Sequence, residues 1–124
     1  IVHQDGEMIG KGVNQVAKNM DCTAHAEIQA IREASRNKKN VSLKGATLIA
    51  SGEPCALCYM AIRIAEIMKV IIVSNGYESE KHGFDYLWTY QYCNTSLFDE
   101  LEIVKLDNDR KLLPFQLANP NFSG

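Results

Sequence analysis

His25, Glu27, Cys55 and Cys58 are the residues whose types and spacing can do chemistry. The cysteines stand three apart in "EPCALC", and the histidine and glutamate stand two apart in "HAE", with His25 thirty residues before Cys55. One imidazole and two thiolates supply three ligands of a tetrahedral metal site and leave its fourth position to water. Zinc suits that mixture of soft sulfur and imidazole, one ion per chain. Glu27 is too close to His25 to be a natural fourth ligand beside it, yet close enough to reach a water on the ion. Zinc brings such a water's pKa to about 7, where a neighbouring carboxylate can carry its proton. Two other readings use the same cysteines. Cys22, three residues before His25, completes a closed Cys3His structural site, which leaves Glu27 and Pro54 without a role. A Cys55–Cys58 redox pair requires neither His25 nor Glu27. Cys22 and Cys93 taken alone read as buried or bystander thiols.

Two helix starts would position these groups. The spacing of Ile28, Ile31 and Ala34 predicts a helix over 24–37, with Thr23 as its N-cap. Pro54 suits the first turn of a second helix running to Glu66, apolar nearly all round and therefore expected to be buried. Cys55 and Cys58 then share one face of its first turn, where the unpaired N–H groups favour thiolate. Around these helices, Asp5-Gly6 signals a hairpin turn between strands near 1–3 and 7–13, with Gly10 and Gly12 weakening the second. Further strands are predicted at 46–51, 69–75 and 100–106, an Asn75-Gly76 turn after the middle one, a partly helical aromatic segment at 83–92, and a short helix at 110–118. Continuous apolar strands alternating with helices predict an α/β fold. We expect a three-layer α/β/α sandwich on a mixed sheet of about five strands, parallel in its middle and joined by right-handed crossovers.

Composition bounds the rest. With 124 residues, 46% of them hydrophobic, the chain reads as a single domain over 1–124 with a real core. No apolar run reaches the roughly 18 residues needed to cross a bilayer. A formal charge of −2 gives no field that draws nucleic acid to the whole surface. The local cluster of Arg32, Arg36, Lys38, Lys39 and Lys44 lacks interleaved aromatics and reads as a solvated helix end. Four cysteines in a domain of this size fit a reduced, cytoplasmic protein with metal-binding thiols. The chain opens on Ile1 rather than methionine, which reads as a truncated or processed beginning. Trp88, Tyr90 and Tyr92 read first as core and second as a stacking wall for a base, and His3 and His82 as surface histidines.

His-x-Glu followed by Pro-Cys-x-x-Cys is the signature of zinc-dependent nucleobase deaminases, and here it runs His25-Ala26-Glu27, twenty-six residues, Pro54-Cys55-Ala56-Leu57-Cys58. "TAHAEIQAIREA" and "EPCALC" resemble the cytidine-deaminase-like superfamily, in its branch of purine-base and tRNA-adenosine deaminases. Asn14, "GFD" at 83–85 and "LLPFQ" at 112–116 look closest to bacterial-type guanine deaminases. The resemblance implies hydrolysis of guanine to xanthine and ammonia, with His25, Cys55 and Cys58 holding zinc and Glu27 shuttling protons. It further implies that Asn14 hydrogen-bonds the base, that the backbone N–H of Ala26 holds the substrate carbonyl, and that the chain forms a homodimer, with exchanged C-terminal segments as one form of it.

The sequence departs from that family pattern in places. A second acidic residue usually follows Gly-Phe-Asp, whereas Tyr86 stands here, leaving Asp85 to substitute or to serve only as a turn residue. Against the family pattern, the aromatic-bearing C-terminal tail reads as shortened or absent after "FQLANPNFSG", and the N-terminal helix and Phe-Gly-Ala strand segment read as missing before Ile1. Loss of that helix would uncover one sheet face, with reduced stability or a covering partner chain as the expected result. Deamination of tRNA adenosine or of cytosine shares every zinc residue. A non-catalytic zinc module used for assembly is the remaining class, and intact Glu27 argues against it. Nucleic acid is the less favoured partner, a free nucleobase the favoured one, and a membrane is not expected.

Overall fold

The computed structural model describes residues 1–73 and 87–106. The chain begins as a tight hairpin, β1 (Val2–Gln4) and β2 (Glu7–Gly10). Asp5 and Gly6 both take positive φ, 53° and 82°, the combination that a two-residue turn between right-twisted strands demands. A short α1 (Val16–Asn19) precedes the long α2 (Ala26–Lys38), and β3 (Thr47–Ala50) leads into α3 (Ala56–Ile64). After β4 (Lys69–Ile72) come two 3-10 turns, Leu87–Tyr92 and Thr95–Phe98, and then β5 (Glu102–Lys105). The Asn75-Gly76 turn, the 83–85 stretch with Asp85, and the helix expected at 110–118 lie outside the described residues.

The five strands form one mixed sheet in the order β2-β1-β3-β4-β5. Pairing is antiparallel across β2, β1 and β3, and parallel across β3, β4 and β5. Parallel pairing is thus confined to one half of the sheet, because the tight hairpin at the start forces the other half to alternate. Alternation along the strands sorts the core. Leu48, Ala50, Val70 and Ile72 join Ala30 and Ala34 of α2 and Tyr59 and Ile62 of α3 in one buried cluster. Ile49 and Val73 form a second cluster, with Ile1, Ile71 and Leu106 packed against it. Among the described residues no helix is long and apolar enough to cross a membrane.

The helix α3, apolar nearly all round, is not buried all round. Its inner face buries Ala56, Cys58, Tyr59 and Ile62, whereas Leu57, Met60 and Ile64 are exposed. Hydrophobicity without a polar stripe therefore misled the expectation of complete burial. The cap of α2 also differs: His25, not Thr23, is its N-cap. Thr23 is engaged elsewhere, its N–H and hydroxyl both donating to Asp21 Oδ1 at 2.9 and 2.7 Å. Those two hydrogen bonds hold the Asp21 carboxyl below its ordinary range. At the other end, Lys39 takes positive φ and its N–H reaches Arg36 O, while Asn40 N–H reaches Ser35 O, so the helix stops in a Schellman turn among the basic residues.

Gly10 and Gly12 explain how close α2 sits to the hairpin. A Cβ on Gly12 would lie 2.4 Å from Ala26 O and 2.6 Å from Ala30 N, and one on Gly10 would lie 2.5 Å from Ala30 O and 2.6 Å from Ala34 N. The chain here packs directly onto helix backbone, which only a residue without a side chain permits. Gly10→Ala and Gly12→Ala should each destabilise the protein by about 1–3 kcal/mol, the usual cost of overpacking. Chemical denaturation checks this, and unchanged midpoints would contradict the close packing.

Candidate metal centre

His25 and Cys55 are both helix N-caps, with extended backbone at φ −70°, ψ 155° and φ −77°, ψ 176°. A residue in that position stands just outside the helix while its side chain lies near the unpaired N–H groups of the first turn. Two such caps, on α2 and α3, meet here, and Cys58 arrives from one turn into α3. All three side chains are buried.

The distances fit one ion. Cys55 Sγ and Cys58 Sγ are 3.7 Å apart, and His25 Nδ1 lies 3.6 Å from the first and 3.5 Å from the second. Tetrahedral zinc, with bonds of about 2.3 Å to sulfur and about 2.0–2.1 Å to nitrogen, sets edges of about 3.8 Å between sulfurs and about 3.6 Å from sulfur to nitrogen. The donor triangle matches those edges on every side. His25 Nε2 lies 3.0 Å from Cys22 O. A carbonyl only accepts, so Nε2 carries the proton and Nδ1 turns its lone pair toward the sulfurs.

This settles the role of Cys22. It contributes its backbone carbonyl to His25, while its thiol is exposed and stands outside the ligand group. Among the described residues no fourth His, Cys, Asp or Glu joins the three, so the closed Cys3His alternative is not formed. The Cys55–Cys58 redox alternative is weakened too, since both sulfurs face His25. Zinc is the ion these residues fit, and His25, Cys55 and Cys58 are positioned to hold it.

The two thiols differ in acidity before metal binds. Cys55 is pulled down to about 6, first by its hydrogen bond with Cys58, against the opposing effect of burial, and further by the N–H groups of Cys58 and Leu57 and by His25. Cys58 is pushed up, first by the same hydrogen bond, then by burial and by the Glu27 carboxylate beside it. Glu27 therefore lies near a ligand sulfur, in the first turn of α2 and two residues from His25.

The remaining sequence candidates are placed as follows. Ala26 opens α2, and by position its N–H is one of the donors without an intrahelical acceptor. Asn14 is exposed, and its Oδ1 accepts from Val16 N–H at 2.9 Å. Its neighbour Gln15 donates its N–H to Ala24 O at 2.8 Å, so Asn14 runs beside the turn that carries His25. Of the aromatic trio, Tyr90 packs on the core against Tyr59 and Phe98, with ring centroids 6.3 and 5.7 Å away. Trp88 and Tyr92 are exposed and pair edge-on with each other at 6.0 Å, so neither is core. An open depression of about 670 Å³ between α3 and the 3-10 turns, lined in part by Met60, Arg63, Tyr92 and Asp99, includes none of the metal ligands.

Sequence reasoning passed over Thr89 altogether. Its Oγ1 accepts the Ala56 N–H at 2.9 Å, and Tyr90 OH donates to Pro54 O, so the turn at 87–92 grips the chain on both sides of Cys55. No local pattern reveals a partner thirty-three residues away. A weaker tie, the Lys105–Glu53 ion pair at 3.3 Å, joins β5 to the residue before Pro54; exposed pairs of this kind contribute about 0–1 kcal/mol. Metal analysis of reduced, dialysed protein should find one zinc per chain. That zinc should be lost in Cys55→Ala, Cys58→Ala and His25→Ala and kept in Cys22→Ser, whose loss of metal would contradict the three-ligand assignment.

Comparison with known proteins agrees with this site. The chain matches the family model for the cytidine and deoxycytidylate deaminase zinc-binding region over residues 1–74. It is 40% identical over 83 residues to a tRNA-specific adenosine deaminase of Aquifex aeolicus, covering 67% of this chain and 53% of that protein. A tRNA-specific adenosine deaminase of Buchnera aphidicola (subspecies Baizongia pistaciae) is 31% identical over 112 residues, covering 90% of this chain and 64% of that protein. This chain thus spans between about half and two thirds of those relatives. Among solved structures, guanine deaminase from Bacillus subtilis superposes with a TM-score of 0.71 at 30% identity, covering all of this chain and 79% of that one. A tRNA:A34 deaminase at 23% identity shares the fold, with a TM-score of 0.64 over 85% of this chain and 78% of that one. The mixed five-stranded sheet with its helices is the cytidine deaminase-like α/β fold. With His25, Cys55 and Cys58 all inside the matched region, the chain belongs to the cytidine and deoxycytidylate deaminase zinc-binding family.

Proposed function

We propose that this chain removes an amino group from a purine by hydrolysis, with guanine as substrate and xanthine and ammonia as products. The observation that carries the reading is the three-donor triangle with the Glu27 carboxylate against one of its corners. Zinc bound there supplies the Lewis acidity that makes water nucleophilic near neutral pH. Glu27 takes the proton of the attacking water and delivers it to the ring nitrogen beside the reacting carbon; it then takes the proton of the hydroxyl added to that carbon and passes it to the departing amine as the C–N bond breaks and the carbonyl forms. Ala26 N–H, at the start of α2, donates to the substrate carbonyl. Asn14 already spends its oxygen on Val16, so its amide N–H₂ is the group offered to an acceptor on the base. Asp85, outside the described residues, is proposed as a further contact on the family resemblance alone.

Guanine is supported by the likeness to the Bacillus subtilis enzyme along the whole chain. Adenosine in tRNA is the second reading, and the names of the sequence relatives favour it. The exposed Arg32, Arg36, Lys38 and Lys39 on and after α2 are the cations such a partner would use. We further propose a homodimer in a cytoplasmic setting. The exposed apolar row Leu57, Met60 and Ile64 on α3 supports the first, and four free cysteines support the second.

Zinc-loaded protein incubated separately with guanine, adenine, cytosine, guanosine and an anticodon stem-loop should release ammonia from guanine alone. Release from the stem-loop alone would overturn guanine in favour of tRNA. Glu27→Gln should keep its zinc and lose turnover by about 10²–10⁴-fold, the usual worth of a positioned general acid–base. A rate like that of the unaltered protein would remove the proposed proton carrier.

A further inference from the structure

Cys55 holds two positions at once: it is a metal ligand and the N-cap of α3, and its side chain makes no capping hydrogen bond. An N-cap side chain serves the N–H of the second or third helical residue, so the N–H of the first, Ala56, needs an acceptor from elsewhere. That acceptor comes from the turn at 87–92. Thr89 Oγ1 accepts from Ala56 N–H, the first helical residue, at 2.9 Å. The next residue, Tyr90, donates its hydroxyl to the carbonyl of Pro54, which is fully buried. Two consecutive side chains thus grip the peptide units on either side of Cys55.

The grip has a firm base. Tyr90 packs on Tyr59, one turn along α3, and on Phe98 of the second 3-10 turn, which itself stacks edge-on against Tyr59 at 5.0 Å. Burial pushes the Tyr90 hydroxyl above its ordinary range, so it stays protonated and able to donate. The sulfur–sulfur and sulfur–nitrogen edges leave little slack, since tetrahedral zinc tolerates ligand distances only within about 0.2 Å.

We propose that Thr89 and Tyr90 are positioning residues for the metal centre, fixing Cys55 Sγ at the distance zinc requires. The proposal rests on zinc binding at His25, Cys55 and Cys58, and its test reads the metal rather than turnover, so the substrate assignment can fail independently. In the full chain, Thr89→Val should weaken zinc about 10–100-fold in competition with a chromophoric chelator, the usual effect of losing an outer-shell partner. With cobalt(II) in place of zinc, the same variant should shift the ligand-field and sulfur-to-metal bands, and Thr89→Ser should restore both readouts. Tyr90→Phe keeps the ring packing and should give the same loss, which covers the case where Thr89→Val folds poorly. Affinity and cobalt spectra like those of the unaltered protein in Tyr90→Phe and in folded Thr89→Val would overturn the proposal, even if denaturation midpoints fell. Failure of Thr89→Ser to rescue would do the same.

Discussion

Two helix N-termini brought to one point are the constraint on which the rest of this molecule depends. Each offers unpaired N–H groups and the positive end of a helix dipole, and together they make the place where two thiols and a carboxylate can be negative. Cys55 and Cys58 start α3, and His25 and Glu27 start α2, so the charges needed for binding and for proton transfer gather where the backbone favours them. Their shared hydrogen bond and burial favour the proton on Cys58 and thiolate on Cys55, and zinc held there would take the place of that proton.

The scaffold brings these ends together by close backbone contact rather than by large side chains. Gly10 and Gly12 let the end of β2 and the following chain touch the backbone of α2, and Ala30 and Ala34 present the matching small surface. On the other side, β3 feeds directly into the Pro54 turn, which the segment at 87–92 holds. Ala24 O accepts from Gln15 N–H and Cys22 O takes the His25 ring N–H, so even the loop before α2 is tied by main-chain groups.

Much of this was legible in the sequence wherever the cause is local. Asp5-Gly6 forecast its hairpin because a two-residue turn needs two positive φ values, whereas Pro54 marked the neighbourhood of the α3 start but stands before the Cys55 N-cap and not in the first turn. The ligand trio was legible because metal chemistry restricts residue types tightly. Where partners are distant, the sequence was silent or misleading. Thr89 went unread because its partner Ala56 is thirty-three residues away, and α3 looked fully buried because hydropathy does not say which side faces the sheet; Thr23 misled for a local reason, its hydroxyl being claimed by Asp21 two residues earlier. Gly10 and Gly12 read as weak points of a strand, whereas they are contact points for a helix.

The central claim is a zinc ion held by one nitrogen and two sulfurs from this chain, with Cys22 acting only through its carbonyl. X-ray absorption at the zinc edge tests it most directly, because sulfur and nitrogen shells separate by distance. The account predicts two sulfurs at about 2.3 Å and two lighter atoms at about 2.0–2.1 Å, one of them from imidazole. A shell of three sulfurs would contradict it.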